Sequence, residues 1–174
     1  MPGSDASVWA NEGTAFTFTG DDINFAENGD KAMYSSVTFT GDFTFEAIQK
    51  VNTTDWCNFG CYVISEDATF TGNSSGGMTS MTNSWWIRAD GTIKYGSTSP
   101  DSLTASTTAR IKFERVSGTI KVYKDDVLEH TYATGSSAEV RMVVGNGGTT
   151  QTPGLENFIY SDNNVTFTPH GTWI

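Results

Sequence analysis

The chain has 174 residues, 37% hydrophobic and 13% aromatic, enough for one core that needs neither a staple nor a metal. Eighteen glycines, with abundant Thr and Ser, are poor helix material and tilt the composition towards β-structure. Twenty acidic residues against ten basic give a net charge of -10, which repels phosphate backbones and anionic headgroups and argues against nucleic acid or membrane surfaces as partners.

The start, Met1-Pro2-Gly3-Ser4-Asp5, has no basic region and no apolar run, and no stretch is long and apolar enough to cross a bilayer. Neither a secretory signal nor membrane insertion is therefore expected. From Phe16 to Tyr160, strand-like runs alternate with turn signals and no window sustains helical periodicity. This predicts an all-β, two-sheet antiparallel sandwich, one domain over 1–174 with short terminal arms at about 1–12 and 163–174.

Tyr34 to Thr40, the pair Gly41-Asp42 and then Phe43 to Val51 read as a hairpin with a II′ turn. Phe43, Phe45, Ala47 and Val51 would share a face, with Ile48 marking a bulge. Cys57 and Cys61, four apart on an extended strand, stand about 13 Å from each other, beyond disulfide reach. They read as free thiols, or as a small bridged loop if the chain turns there. Glu66 to Asn83, around Gly72-Asn73-Ser74-Ser75-Gly76-Gly77, reads as a long functional loop.

Trp85 to Arg88, Ala89-Asp90-Gly91 and Thr92 to Tyr95 form a second predicted hairpin. A three-strand meander follows: Ala109 to Arg115, the turn Ser117-Gly118, Thr119 to Lys124, the turn Asp125-Asp126, and Val127 to Tyr132. Ile111 and Phe113 alternate there with Arg110, Lys112 and Glu114, one dry face and one wet. Glu139 to Gly145 reads as a fully buried strand, Asn146 to Gly154 as a Gly/Thr-rich loop, and Leu155 to Tyr160 as the last strand.

The segments Gly41 to Ala47, Ile111 to Arg115, Gly118 to Leu128 and Leu155 to Tyr160 together resemble the concanavalin A-like (laminin-G-like) jelly-roll superfamily of lectins and glucanases. The sequence departs from the usual pattern at Asp126, where an Asp-Gly turn has its glycine, which makes a type I′ turn costlier there. The resemblance implies a lectin-like or glycosidase-like sandwich. By analogy with bacteriophage fibre and decoration proteins of similar composition, it further implies a virion-associated or extracellular module released by lysis, working as a homo-oligomer or within a larger assembly.

Retaining glycosidases of this kind carry acidic residues two and four or five apart on one strand, and no such cluster occurs here. Glu66-Asp67, Asp21-Asp22 and Asp125-Asp126 are neighbours, which point to opposite faces of a strand. A non-catalytic module is therefore expected, with a glycoside hydrolase of the same fold as the alternative. The glycan candidates are Asp55, Trp56, Asn58, Asn83, Trp85, Trp86 and Arg88, because exposed indoles stack on sugar rings while Asn, Asp and Arg bond hydroxyls. Of Trp85 and Trp86, neighbours on a strand, one should be core and one outward.

Asp21, Asp22, Asp162 and Asn163 offer oxygens that calcium accepts, although Asp and Asn favour turns without any metal; no other cofactor is implied. His130 reads as a strand surface residue and His170 as part of the tail. Trp9, Trp173 and Ile174 are large apolar groups at the two ends, expected to dock on the domain or on a partner subunit.

Overall fold

The computed structural model describes residues 9–10, 16–20, 22–26, 29–49, 57–70, 75–88, 90–103, 108–148 and 151–162. Among these the strands run β1 (Trp9–Ala10), β2 (Phe16–Thr19), β3 (Asp22–Phe25), β4 (Gly29–Ser35), β5 (Phe43–Gln49), β6 (Cys57–Val63), β7 (Ser84–Ile87), β8 (Thr92–Tyr95) and β9 (Thr98–Ser102). They continue as β10 (Ala109–Val116), β11 (Thr119–Lys124), β12 (Val127–Thr131), β13 (Val140–Gly148) and β14 (Gln151–Asp162). Between β6 and β7 lie a 3-10 turn, Ile64–Thr69, and one short helix, α1 (Ser75–Ser80).

Two seven-stranded antiparallel sheets face each other. Sheet A has the order β1-β4-β13-β6-β7-β8-β9 and sheet B the order β12-β11-β10-β5-β14-β3-β2. The predicted sandwich is thus the observed one, and alternation explains it. In β5, Phe43, Phe45, Ala47 and Gln49 are buried while Thr44, Glu46 and Ile48 are only partly covered. In β10 the same rhythm buries Ala109, Ile111, Phe113 and Arg115.

Phe45 and Phe113 stack at 5.1 Å within sheet B. Phe59 of sheet A meets both edge-on, at 5.3 and 5.6 Å. Each such ring removed from water contributes about 1.5–3 kcal/mol, so this trio is a large part of what joins the layers. Cys57 and Cys61 also point into this core as free thiols, and burial raises both, Cys61 to about 12.

Arg115 stands in the core rhythm as well, and its guanidinium is a clip between segments. Nε donates to the Gly41 carbonyl at 2.8 Å, Nη1 to Ser136 and Ala138 at 3.3 and 2.6 Å, and Nη2 to Phe39 at 3.0 Å and also to Gly41. A buried cation is tolerable when its donors are filled, as they are here. The clip corrects the first predicted hairpin. β4 belongs to sheet A and β5 to sheet B, so 36–42 crosses between layers instead of turning back, held by Arg115 and by the Phe39–Val140 backbone pair.

Other expectations change too. Ile48 is not in a bulge: β5 pairs with β10 without a break from Phe43 to Gln49, and the irregularity falls on β14 between Glu156 and Ile159, where Asn157 has φ 51. The expected loop at 146–154 is mostly strand, since β13 runs to Gly148 and β14 begins at Gln151. The expected loop at 66–83 contains the 3-10 turn and α1. Val51 lies outside the described residues. The second hairpin and the meander form as expected, and Asp125 and Asp126 both adopt positive φ, 49 and 67. Their strain is offset by the Arg110 amide donating to Asp125 Oδ1 at 2.9 Å and by an Arg110–Asp126 ion pair.

Among the described residues no helix is long and apolar enough to cross a membrane. Trp9 sits in β1, which pairs with β4, whereas Trp173, Ile174 and His170 lie outside the described residues.

Candidate functional site

The second hairpin fixes the site. Trp85 pairs with Tyr95, Trp86 with Lys94 and Ile87 with Ile93. Alternation then sends Trp85, Ile87 and Ile93 inward and Trp86 and Lys94 to the outer face of sheet A. Trp85 is core: its Nε1 donates to the Thr134 carbonyl at 2.7 Å and its ring leans on Tyr95.

Trp86 is not exposed either, although one of the two indoles was expected to be. Its outer face is roofed by the excursion between β6 and β7. Met78 and Met81 pack with Trp86, Tyr62 and Val143 into a second apolar cluster, joined by Tyr34 and Phe70. Phe70 stacks on Tyr62 at 5.8 Å and meets Tyr34 edge-on at 5.1 Å.

Three polar clasps hold this roof. Glu66 accepts from the Asn83 backbone amide and side chain, at 3.2 and 3.1 Å. Asp67 accepts from Arg141 Nε at 3.1 Å. The Ser84 hydroxyl bonds the carbonyls of Met78 and Met81, at 3.0 and 3.2 Å. Asn83, a glycan candidate, is therefore a clasp.

Beneath the roof Trp86 Nε1 is buried without a hydrogen-bond partner, and Tyr62 Oη is buried beside the Asp67 carboxylate. Burial raises the Tyr62 phenol far above its usual range, and the neighbouring Asp67 carboxylate pushes the same way.

At the open end of the face, beyond Trp86, stand Arg88, Thr92 and Lys94. Arg88 bonds Asp90 through Nε at 3.0 Å and through Nη2. Burial alone would raise the Asp90 carboxyl, yet hydrogen bonds from Arg88 and from Thr92, whose amide donates at 3.0 Å, outweigh it and hold Asp90 at about 2. Lys94 is buried, its Nζ donating to the Ser97 carbonyl at 3.1 Å and the Ser99 hydroxyl at 2.7 Å, 5.8 Å from the Trp86 ring centroid.

Asn58 of β6 is fully buried and follows the outward alternation of Gly60 and Tyr62. Of the seven glycan candidates, the structure thus gathers Asn58, Trp86 and Arg88 on one face, sends Trp85 to the core and uses Asn83 to hold the roof. Asp55 and Trp56 lie outside the described residues. Lys94 was missed, although the Asp90-Gly91 turn fixes the register that sets it opposite Trp86.

Of the four calcium candidates, Asp22 alone has a described side chain. Asp22 Oδ1 accepts the Asn157 amide at 3.0 Å, at the irregular point of β14. Asp21, Asn163 and the side chain of Asp162 are not described, and among the described residues no three His, Cys, Asp or Glu side chains come together as a metal would need. His130 is not a plain surface residue. It pairs opposite Val122 on the inward-facing side of β12, with Nδ1 3.2 Å from Asp101 Oδ2 and the ring edge-on to Tyr132. On the outer face of sheet B a cavity of about 180 Å³ is lined by Asp42, Thr44, Glu114, Val116 and Ser161 among others.

No family model matches the chain, and no curated protein does. Solved structures do. The carbohydrate-binding module CBM66 from Bacillus subtilis aligns with a TM-score of 0.57 at 15% identity, over 89% of this chain and 96% of that one. A Bacillus subtilis protein of unknown function with a galectin-like fold aligns at 0.59 and 9%, over 92% and 91%. The Bacillus licheniformis β-glucanase aligns at 0.53 and 11%, over 83% and 81%. At such identities the likeness is one of fold: the chain is a jelly-roll β-sandwich of the concanavalin A-like, galectin-like kind.

Proposed function

We propose that the chain is a non-catalytic glycan-binding module whose site is the open end of the outer face of sheet A, at Arg88, Thr92 and Lys94. The observation that carries this reading is the chemistry of that face, which presents hydrogen-bond donors beside carboxylates already engaged. Glycosidases need one carboxyl to act as an acid and a second as nucleophile or base. Around this face Asp90 is bonded to Arg88 and held at about 2, the opposite of an acid poised to give a proton, while Glu66 and Asp67 hold the roof.

Among the described residues, a hydrolase reading finds a carboxylate pair on sheet B, where Glu46 and Glu114 stand diagonally, since Glu46 pairs with Lys112 and Glu114 with Thr44. Tyr123 donates to Glu114 at 2.7 Å and so occupies it as an acceptor. The likeness to a carbohydrate-binding module and to a glucanase supports sugar recognition under either reading.

The two readings separate in one experiment, in which immobilised and soluble oligosaccharides are tested for retention and for release of reducing ends. Binding without release is expected. Release that Glu46→Gln or Glu114→Gln abolishes would replace the binding module with an enzyme, and absence of any retention would remove sugar recognition. Attachment to a virion or other particle is proposed on the sequence resemblance alone, and sedimentation of the chain with particles from a lysate tests it.

A further inference from the structure

Affinity on this face cannot come from ring stacking through the described indoles. Trp85 and Trp86 are both at 0% exposure, one in the core and one under the roof. Through the described residues, recognition rests on polar contacts, and the charged groups at the proposed site, Lys94 and Arg88, are donors alone. Lysine, arginine and the indole N–H donate and never accept.

Lys94 is the sharpest case. Its residue is 8% exposed, its ammonium has three N–H groups, and its two hydrogen-bond acceptors are neutral oxygens of Ser97 and Ser99. No described carboxylate lies within ion-pair distance of it, in a chain with twenty acidic residues and ten basic ones. The carboxylate that influences it, Asp90, is already taken by Arg88 and the Thr92 amide. Covering an ammonium without a counter-charge is costly, and burial accordingly lowers its pKa, with Arg88 adding to the effect. In the ring against which Lys94 lies, Trp86 Nε1 is a second donor with no acceptor.

We propose that the glycan recognised on this face is anionic, carrying a carboxylate or sulfate that pairs with Lys94 beside Arg88. The inference rests on the glycan-binding reading above and names its ligand class. An anionic oxygen supplies what Lys94 lacks, an acceptor with charge. The overall negative charge does not prevent this, because at physiological salt charges more than about 8 Å away are largely screened and the local cations dominate.

The test is calorimetric titration of the intact chain, at physiological salt, with three sets of oligosaccharides matched in length: neutral glucans and galactans, uronates, and sulfated galactans. At least one acidic set should bind about tenfold or more tighter than the neutral set, the range expected of one charge-assisted hydrogen bond, and the two acidic sets separate carboxylate from sulfate. Lys94→Met, which keeps the aliphatic stem against Trp86, should bring acidic and neutral binding to within about threefold, whereas Lys94→Arg should keep the preference; melting temperature reports folding of each.

Equal binding of neutral and acidic sugars by the unaltered chain would overturn this inference and leave the glycan-binding reading standing. Binding of no sugar would overturn both. A preference that survives in folded Lys94→Met would also overturn it, since the charge contact would then lie elsewhere.

Discussion

The outer faces of the two sheets are built on opposite terms. On sheet B, β5 and β10 alternate without exception between covered and part-exposed residues, and the outward side chains pair across strands, Glu46 with Lys112 and Glu114 with Lys121. On sheet A every residue of β6 and β7 is buried. One sandwich core needs only one dry face per sheet. Sheet A has a second dry face because the excursion between β6 and β7 folds back over it, and the Trp86 indole N–H is enclosed there without a partner. The open sheet solves a folding problem alone, while the roofed one carries an arrangement that folding does not require, which is why the binding reading attaches to it.

The largest expected break in this contrast is at Gly60. It pairs with Trp86 at so close an approach that a Cβ would stand 2.2 Å from the Trp85 carbonyl oxygen and 2.5 Å from Trp86 Cα and Cβ. Gly60→Ala must push β7 away from β6 and disturb both dry faces at once, an overpacking cost of about 3 kcal/mol. The matched change on sheet B, Lys112→Ala, alters a solvated face and should shift stability by under about 0.5 kcal/mol. Urea denaturation of both variants checks the pair, and similar losses would mean the two outer faces are equally loaded.

Sheet B is legible in the sequence because local alternation decides it. Ile111, Phe113 and Arg115 stand two apart, so the same rhythm that names the core also places the arginine clip there, and only its partners at Phe39, Gly41, Ser136 and Ala138 are beyond local reading. For the tryptophan pair, alternation correctly separates Trp85 from Trp86. It errs on exposure, because what covers Trp86 arrives from Met78 and Met81, through a Gly/Ser-rich segment with no periodic signal of its own. The Gly41-Asp42 turn misleads for a related reason: a turn signal says that the chain bends, not which sheet receives the next strand.

The smallest prediction bears on the open end of the site. Asp90 is held at about 2, below its ordinary value of 3.8, so its ionised form is favoured in the folded chain. A depressed carboxyl contributes stability that is complete above about pH 4 and is lost as pH falls towards 2. Asp90→Asn should therefore leave a stability curve that is flatter than that of the unaltered chain across this window. The difference should be modest and shrink with added salt, since the Arg88–Asp90 pair is about a third exposed. Parallel acid titrations followed by circular dichroism would measure it. Identical slopes would mean that Arg88 is not committed to Asp90 in solution.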